Sequence, residues 1–325
     1  MKNEKSFKEF YKKYGTAAIM VVLFIFFSIA APSFLSVSSI MSLLRQTSVT
    51  AIISVGMAIV MLTGGIDLSV GAIVALTSVM SAWAMVNWKL PIILAVLIGL
   101  IVGILTGFVN GLLVTYIKVP ALIATLGTQQ VIRGIAYIIT GGYTIFGFPE
   151  SFSVIGRGYV FKVIPVPVII MIVVLFAGGF LLNKTRFGRY TYAIGGNMES
   201  ARLAGINVNK RLVIDYVISG ALASVAGIVE LSRLSSGQPS AGEGYDMSAI
   251  TAVVLGGISV SGGEGKFVGV IFGILIMGML STGLVMMNVS TYWQQLIKGL
   301  VLLLAVCIDQ ILKRGLLEKT KRVRS

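Results

Sequence analysis

The sequence predicts an all-α polytopic membrane protein of about ten transmembrane helices (eight to ten), and three observations carry that prediction. Hydrophobic residues make up 56% of the 325-residue chain and charged ones only 12%, with a mean hydropathy of +0.96. Soluble domains are about a quarter charged. Apolar runs close to the roughly 20 residues that a helix needs to cross a bilayer recur along nearly the whole chain. The basic residues are also gathered into a few segments between those runs.

Taken in order, a basic lead, MKNEKSFKEFYKKYG (1–15), precedes the first run at 16–32. It has the look of a secretory signal, but the following segments are apolar too, so it reads as a retained anchor. Further runs lie near 47–63, 69–86, 91–116, 121–140, 164–183, 212–232, 246–261, 267–287 and 292–312, several of them short or interrupted by glycine. Residues 16–312 thus form one transmembrane domain with a hydrophilic loop at 184–211, and 313–325 form a basic tail. Lys and Arg set the orientation. Residues 1–15 hold five, 183–211 hold six and the chain from Gln310 onward holds six, which is 17 of the 26. With ten spans these segments share one side, joined by Lys118 and Lys266, and both termini are cytoplasmic. The net charge of +14 is therefore a topology signal, and no nucleic-acid partner is expected.

A weak internal repeat supports this layout. Residues 98–126 set against 268–296 match at seven of 29 positions, including Gly99 with Gly269 and GIL at 103–105 with GIL at 273–275. The fourth and fifth spans then map onto the ninth and tenth. A shift of five spans is odd, which inverts the second copy in the membrane. The GGI at 64–66 and at 256–258 does not fit that shift. Glycines recur every four residues at Gly99, Gly103, Gly107 and Gly111, and again at Gly265, Gly269 and Gly273. In lipid, such spacing lets helix backbones approach closely.

Catalytic chemistry is hard to build here. The chain has no histidine, which excludes a Ser-His-Asp arrangement and a histidine metal site. Cys307 is alone, so it forms no disulfide within the chain and reads as an inert packing residue. SVSGGEGKFVG comes nearest to a phosphate loop, but Val260 replaces its first glycine and Phe267 its hydroxyl residue. No catalytic residue, metal site or cofactor of its own is expected. Uphill transport would need an ion gradient or a separate ATPase.

Asp67 stands out in TGGIDLSVGAIVAL. Gly64, Gly65 and Gly71 permit a broken backbone, and Asp67 can accept hydrogen bonds from the freed amides or cap the next helix. Asp215, Glu230 and Asp309 fall within about one turn of span ends, where water or headgroups are expected. Arg133 and Lys298 lie deeper without an acidic neighbour along the helix, and each of these five charges reads as an interfacial anchor or a buried structural pair ahead of a coupling site. In the loop, Asn197 can cap a short helix with Glu199 in its first turn, stopped by Gly205. Leu203, Ala204 and Ile206 give it an apolar side and Arg202 a charged one. Such a helix is marginal alone, so it packs either on its own domain or on a partner.

The stretch RFGRYTYAIGGNMESARLAGINVNK, followed by SGALASVAGIVELSRLSSGQPSAGEGYDMSAITAVVLGGISVSGGEGKFVGVIFG, closely resembles the ribose/galactose-type permeases of bacterial ABC importers. LTGGIDLSVGAIVAL and YWQQLIKGLVLLLAVCID are similar to the same family in the right order. The likeness covers about residues 45–312. It implies an all-helical inner-membrane subunit that pairs with a second permease, identical or not. It also implies two ATP-binding subunits (or one tandem ATPase) that hold the ATP and Mg, and an external solute-binding protein. Asn197, Glu199, Arg202, Leu203, Ala204 and Gly205 would then form the helix that couples to the ATPase. Gly64, Gly65, Asp67 and Gly71, with Asn110, Trp293, Gln294 and Gln295, are the candidates for a helix break or translocation path; Trp293 equally suits an interface anchor. The resemblance favours a monosaccharide, while related permeases carry nucleosides, sugar-like signalling molecules or branched-chain amino acids. An ion-coupled secondary carrier and a non-transporting scaffold are the alternatives from other classes.

Overall fold

Long apolar runs make helices when nothing interrupts their backbone, and none of the seven prolines lies beyond the first turn of a helix. The computed structural model describes the backbone of residues 2–324 and the side chains of 15–310. Apart from Gly15, the basic lead 1–15 and the tail 313–325 lie outside those described side chains.

The helices, in order, are α1 (Lys2–Ala30), α2 (Val37–Leu62), α3 (Val70–Val86), α4 (Ile92–Thr115), α5 (Ala121–Thr140) and the single turn α6 (Val154–Arg157). A small antiparallel hairpin, β1 (Tyr159–Val160) and β2 (Ile164–Pro165), follows. Then come α7 (Val166–Lys184), α8 (Arg186–Gly196), α9 (Met198–Leu203), α10 (Val208–Leu234), α11 (Tyr245–Leu255), α12 (Phe267–Met286) and α13 (Thr291–Arg324). Pro91, Pro120 and Pro165 stand immediately before α4, α5 and α7, where a missing N–H costs nothing.

Each apolar run read from the sequence contains a helix, although the run at 246–261 is helical only to Leu255. Seven are long and apolar enough to cross a membrane: Val37–Leu62, Ile92–Thr115, Ala121–Thr140, Val166–Lys184, Val208–Leu234, Phe267–Met286 and Thr291–Gln310. Three apolar helices are shorter: Gly15–Ala30, Val70–Val86 and Tyr245–Leu255. The chain is thus a polytopic helical membrane protein. Both copies of the sequence repeat trace a helix, a short loop and a helix, α4 to α5 and α12 to α13. Cys307 corrects its expected packing role, being exposed on α13.

α10 sits at the centre, packed against α2, α3 and α4. Its contact with α4 is backbone on backbone. Gly103 lies against Gly220, Gly107 against Tyr216, and a Cβ on Gly111 would come within 2.8 Å of the Val213 Cα. The absence of side chains lets the two axes approach, and dispersion between close backbones replaces the hydrophobic force that lipid cannot supply. Leucine at Gly107 is expected to lower stability by about 1–3 kcal/mol. The melting midpoint of the detergent-solubilised protein checks this; an unchanged midpoint would contradict the close contact.

Candidate functional site

α2 stops because its last turn is closed off locally. The Thr63 hydroxyl donates back to the Val60 carbonyl (2.7 Å), and the chain then turns through Gly64 at φ +82°. That left-handed conformation suits glycine. Residues 63–69 therefore interrupt the helical path before α3 begins.

Asp67 lies inside this break with no exposed surface. Its Oδ1 accepts from the Ser69 amide (3.1 Å) and the Ser69 hydroxyl (2.6 Å), and its Oδ2 accepts from the Ser219 hydroxyl of α10 (2.8 Å). The Ser69 oxygen accepts in turn from the Asn110 side-chain amide of α4 (2.8 Å). From α5, the Thr125 hydroxyl reaches the Ile66 carbonyl (3.1 Å). One carboxylate thus ties the break to α4 and α10, with α5 held alongside. The helix-cap expectation is corrected in detail. Ser69 occupies the cap position without a side-chain cap bond, and Asp67 closes a turn two residues long instead.

Two buried polar atoms border the network without a protein partner, the Asn110 Oδ1 and the Tyr216 hydroxyl. The Tyr216 hydroxyl lies against Gly65, where an added Cβ would come within 2.6 Å of it. Gly71 presses on the Gly242 carbonyl in the loop before α11. That loop is held by Arg133, whose guanidinium donates to the carbonyls of Pro239 (2.8 Å) and Ala241 (2.6 Å).

Of the other intramembrane charges, Asp215 and Glu230 follow the buried-pair alternative and not the interfacial one. Asp215 is fully buried and Glu230 is 3% exposed, so neither reaches headgroups. Asp215 faces Arg211 at 3.7 Å. Glu230 accepts a two-pronged pair of bonds from Arg233 (2.8 and 2.9 Å) and one from Tyr245 (2.8 Å). Helix packing, not distance from the span end, decided their burial. Trp293, Gln294 and Gln295 do not join Asp67. Trp293 is 60% exposed on α13, Gln295 is also exposed, and Gln294 bonds the nearby Val289 carbonyl.

The loop helix forms as the sequence suggests. Asn197 Oδ1 caps α9 by accepting from the Ser200 amide (2.8 Å), Glu199 pairs with Arg202 (2.8 Å), and Gly205 ends it at φ +81°. Its apolar side, however, is divided. Ala201 and Ile206 pack inward with Ile194, Val208 and Leu212, whereas Ala204 is exposed and Leu203 stands out at 88% exposure. Because α9 ends at Leu203 and Gly205 turns the chain, Ala204 and Ile206 lie beyond the helix and do not share a face with Leu203. Arg211 stacks over the Phe187 ring of α8 at 3.3 Å, so α8, α9 and the start of α10 form one packed unit.

Sequence reading missed Ser69, Ser219, Thr125 and Tyr216. A legible signal existed: Tyr216, Ser219 and Gly220 follow the i, i+3, i+4 spacing of one helix face in an otherwise apolar span.

This fold, a helical domain around a polar break with a capped helix left outward, defines a polytopic integral membrane protein. The family model described as branched-chain amino acid transport system / permease component matches residues 39–306, and the chain belongs to that family. It is 48% identical over 92% of its length to 93% of the ribose import permease protein RbsC of Bacillus subtilis (strain 168). The ribose import permease protein RbsC of Escherichia coli (strain K12) is 44% identical, with 89% of this chain and 91% of that protein covered. The L-arabinose transport system permease protein AraH of the same strain is 40% identical, with 95% and 94% covered. No solved structure matches. The resemblance to sugar importer permeases is thus borne out by relatives bearing those names.

Proposed function

We propose that the chain is the membrane-spanning permease subunit of an ATP-binding-cassette importer that brings a monosaccharide into a bacterial cell. The observation that carries this reading is the 48% identity to a ribose permease, which extends over 92% of the chain. A pentose is the favoured substrate, since the relatives named above are ribose and arabinose permeases. In this reading the chain sits in the inner membrane with ten spans, its halves inverted and both termini cytoplasmic. It pairs with a second permease copy or homologue, receives sugar from an external binding protein, and binds no nucleotide itself. ATP and Mg belong to two attached ATPase subunits or one tandem ATPase.

The geometry supports a division of labour. Asp67 is fully buried and hydrogen-bonded, so it serves the break, holding freed polar groups while the helices around it change their relative tilt. Leu203, exposed beside the Glu199–Arg202 pair, is the apolar knob offered to the ATPase. An affinity-tagged copy expressed in its own host is expected to co-purify a nucleotide-binding subunit. Purification without any such subunit, under conditions that keep the membrane domain folded, would contradict the assignment.

A further inference from the structure

The helix proposed to meet the ATPase and the Asp67 break are joined, besides the α10 path through Ser219, by a backbone junction. α8 ends in Gly195 and Gly196, immediately before the Asn197 cap of α9. A methyl added to Gly195 would overlap the Leu62 carbonyl at the end of α2 and the Gly263 amide. Gly263, in the loop between α11 and α12, donates its N–H to that same Leu62 carbonyl (2.8 Å). A Cβ on Gly263 would come within 2.5 Å of the Gly196 nitrogen, and one on Gly262 within 2.6 Å of the Gly64 nitrogen. The Tyr192 hydroxyl of α8 ties the same loop by donating to the Gly265 carbonyl (3.2 Å). Burial raises the Tyr192 pKa above its ordinary value.

Three chain segments therefore meet main chain to main chain, with no side chain between them. Side chains absorb small displacements by changing rotamer; packed backbones do not. Because Gly195 lies two residues before the Asn197 cap of α9, a shift imposed on α9 is expected to displace Leu62 and Gly64 or break the Leu62–Gly263 bond. Asp67 lies three residues beyond Gly64.

Resting on the reading that α9 docks an ATPase, we propose that the Gly195–Leu62–Gly263 junction is the positioning element that transmits ATPase movement to the Asp67 break. The intact importer in proteoliposomes, assayed for sugar carried per ATP hydrolysed, tests this. Gly195→Ala is expected to lower that ratio about tenfold while the ATPase stays bound and active. Gly299→Ala, whose added methyl meets nothing, is expected to leave the ratio unchanged. An unchanged ratio in Gly195→Ala would overturn the proposal. Should that variant fail to fold, Tyr192→Phe, which adds no atom, decides: a ratio about threefold lower supports the junction and an unchanged ratio overturns it. A retained ATPase in Leu203→Asp would instead sink the docking reading. Release there, with tight coupling in Gly195→Ala, would reject the junction alone.

Discussion

Asp67→Ala is expected to reduce sugar uptake to below about a tenth of the normal rate at matched expression. The substitution removes the acceptor for the Ser69 amide, the Ser69 hydroxyl and the Ser219 hydroxyl at once. Each buried donor left unpaired costs about 1–3 kcal/mol, and the site is fully buried. The Asn110 amide would lose its anchor next, because the Ser69 hydroxyl it donates to is itself oriented by Asp67. Asp67→Asn keeps the shape and can still accept from Ser69, while Ser219 must turn from donor to acceptor, so an intermediate loss is expected. Uptake of labelled sugar by intact cells checks both. Full activity in the alanine variant would remove Asp67 from any essential role.

The second large effect is at Leu203. Among the described residues little covers this side chain, which is 88% exposed, so Leu203→Asp is expected to leave the fold intact. A charge placed at the centre of a desolvated contact costs at least about 2 kcal/mol, equal to a loss of about 30-fold in affinity for the ATPase. Ala201→Asp, only two residues away, is expected to act differently. Ala201 is buried against Ile194, Val208 and Leu212, so a carboxylate there disrupts the packed unit itself and lowers the melting midpoint. Pull-down of the nucleotide-binding subunit, paired with a thermal melt, separates the two variants. Equal ATPase retention in Leu203→Asp and wild type would show that α9 is not the docking element.

Much of the architecture was legible because lipid imposes simple demands. Apolar length located the ten apolar helices, seven of them long enough to span, and glycines every four residues announced close helix packing without naming the partner helix. The cap at Asn197 and the stop at Gly205 were also readable, since both depend on local backbone chemistry. What sequence spacing did not disclose was partnership across helices. Asp215 and Glu230 sit near span ends along the chain, yet neighbouring helices cover them. Asp67 looked like a local cap, and its partner Ser219 lies 152 positions away. Likewise, the fourfold spacing at Gly99–Gly111 announced close packing, whereas Gly195, Gly262 and Gly263 lie in three-dimensional register without any sequence period. Trp293, Gln294 and Gln295 were chosen for chemistry alone, and α13 carries them away from the break.

The most direct measurement is sugar accumulation in proteoliposomes holding this chain, first alone and then with its ATPase subunits and sugar-binding protein. The account predicts accumulation only when ATPase, binding protein and ATP are all present, with an imposed proton or sodium gradient having no effect. Concentration of sugar by the chain alone on an ion gradient would contradict it.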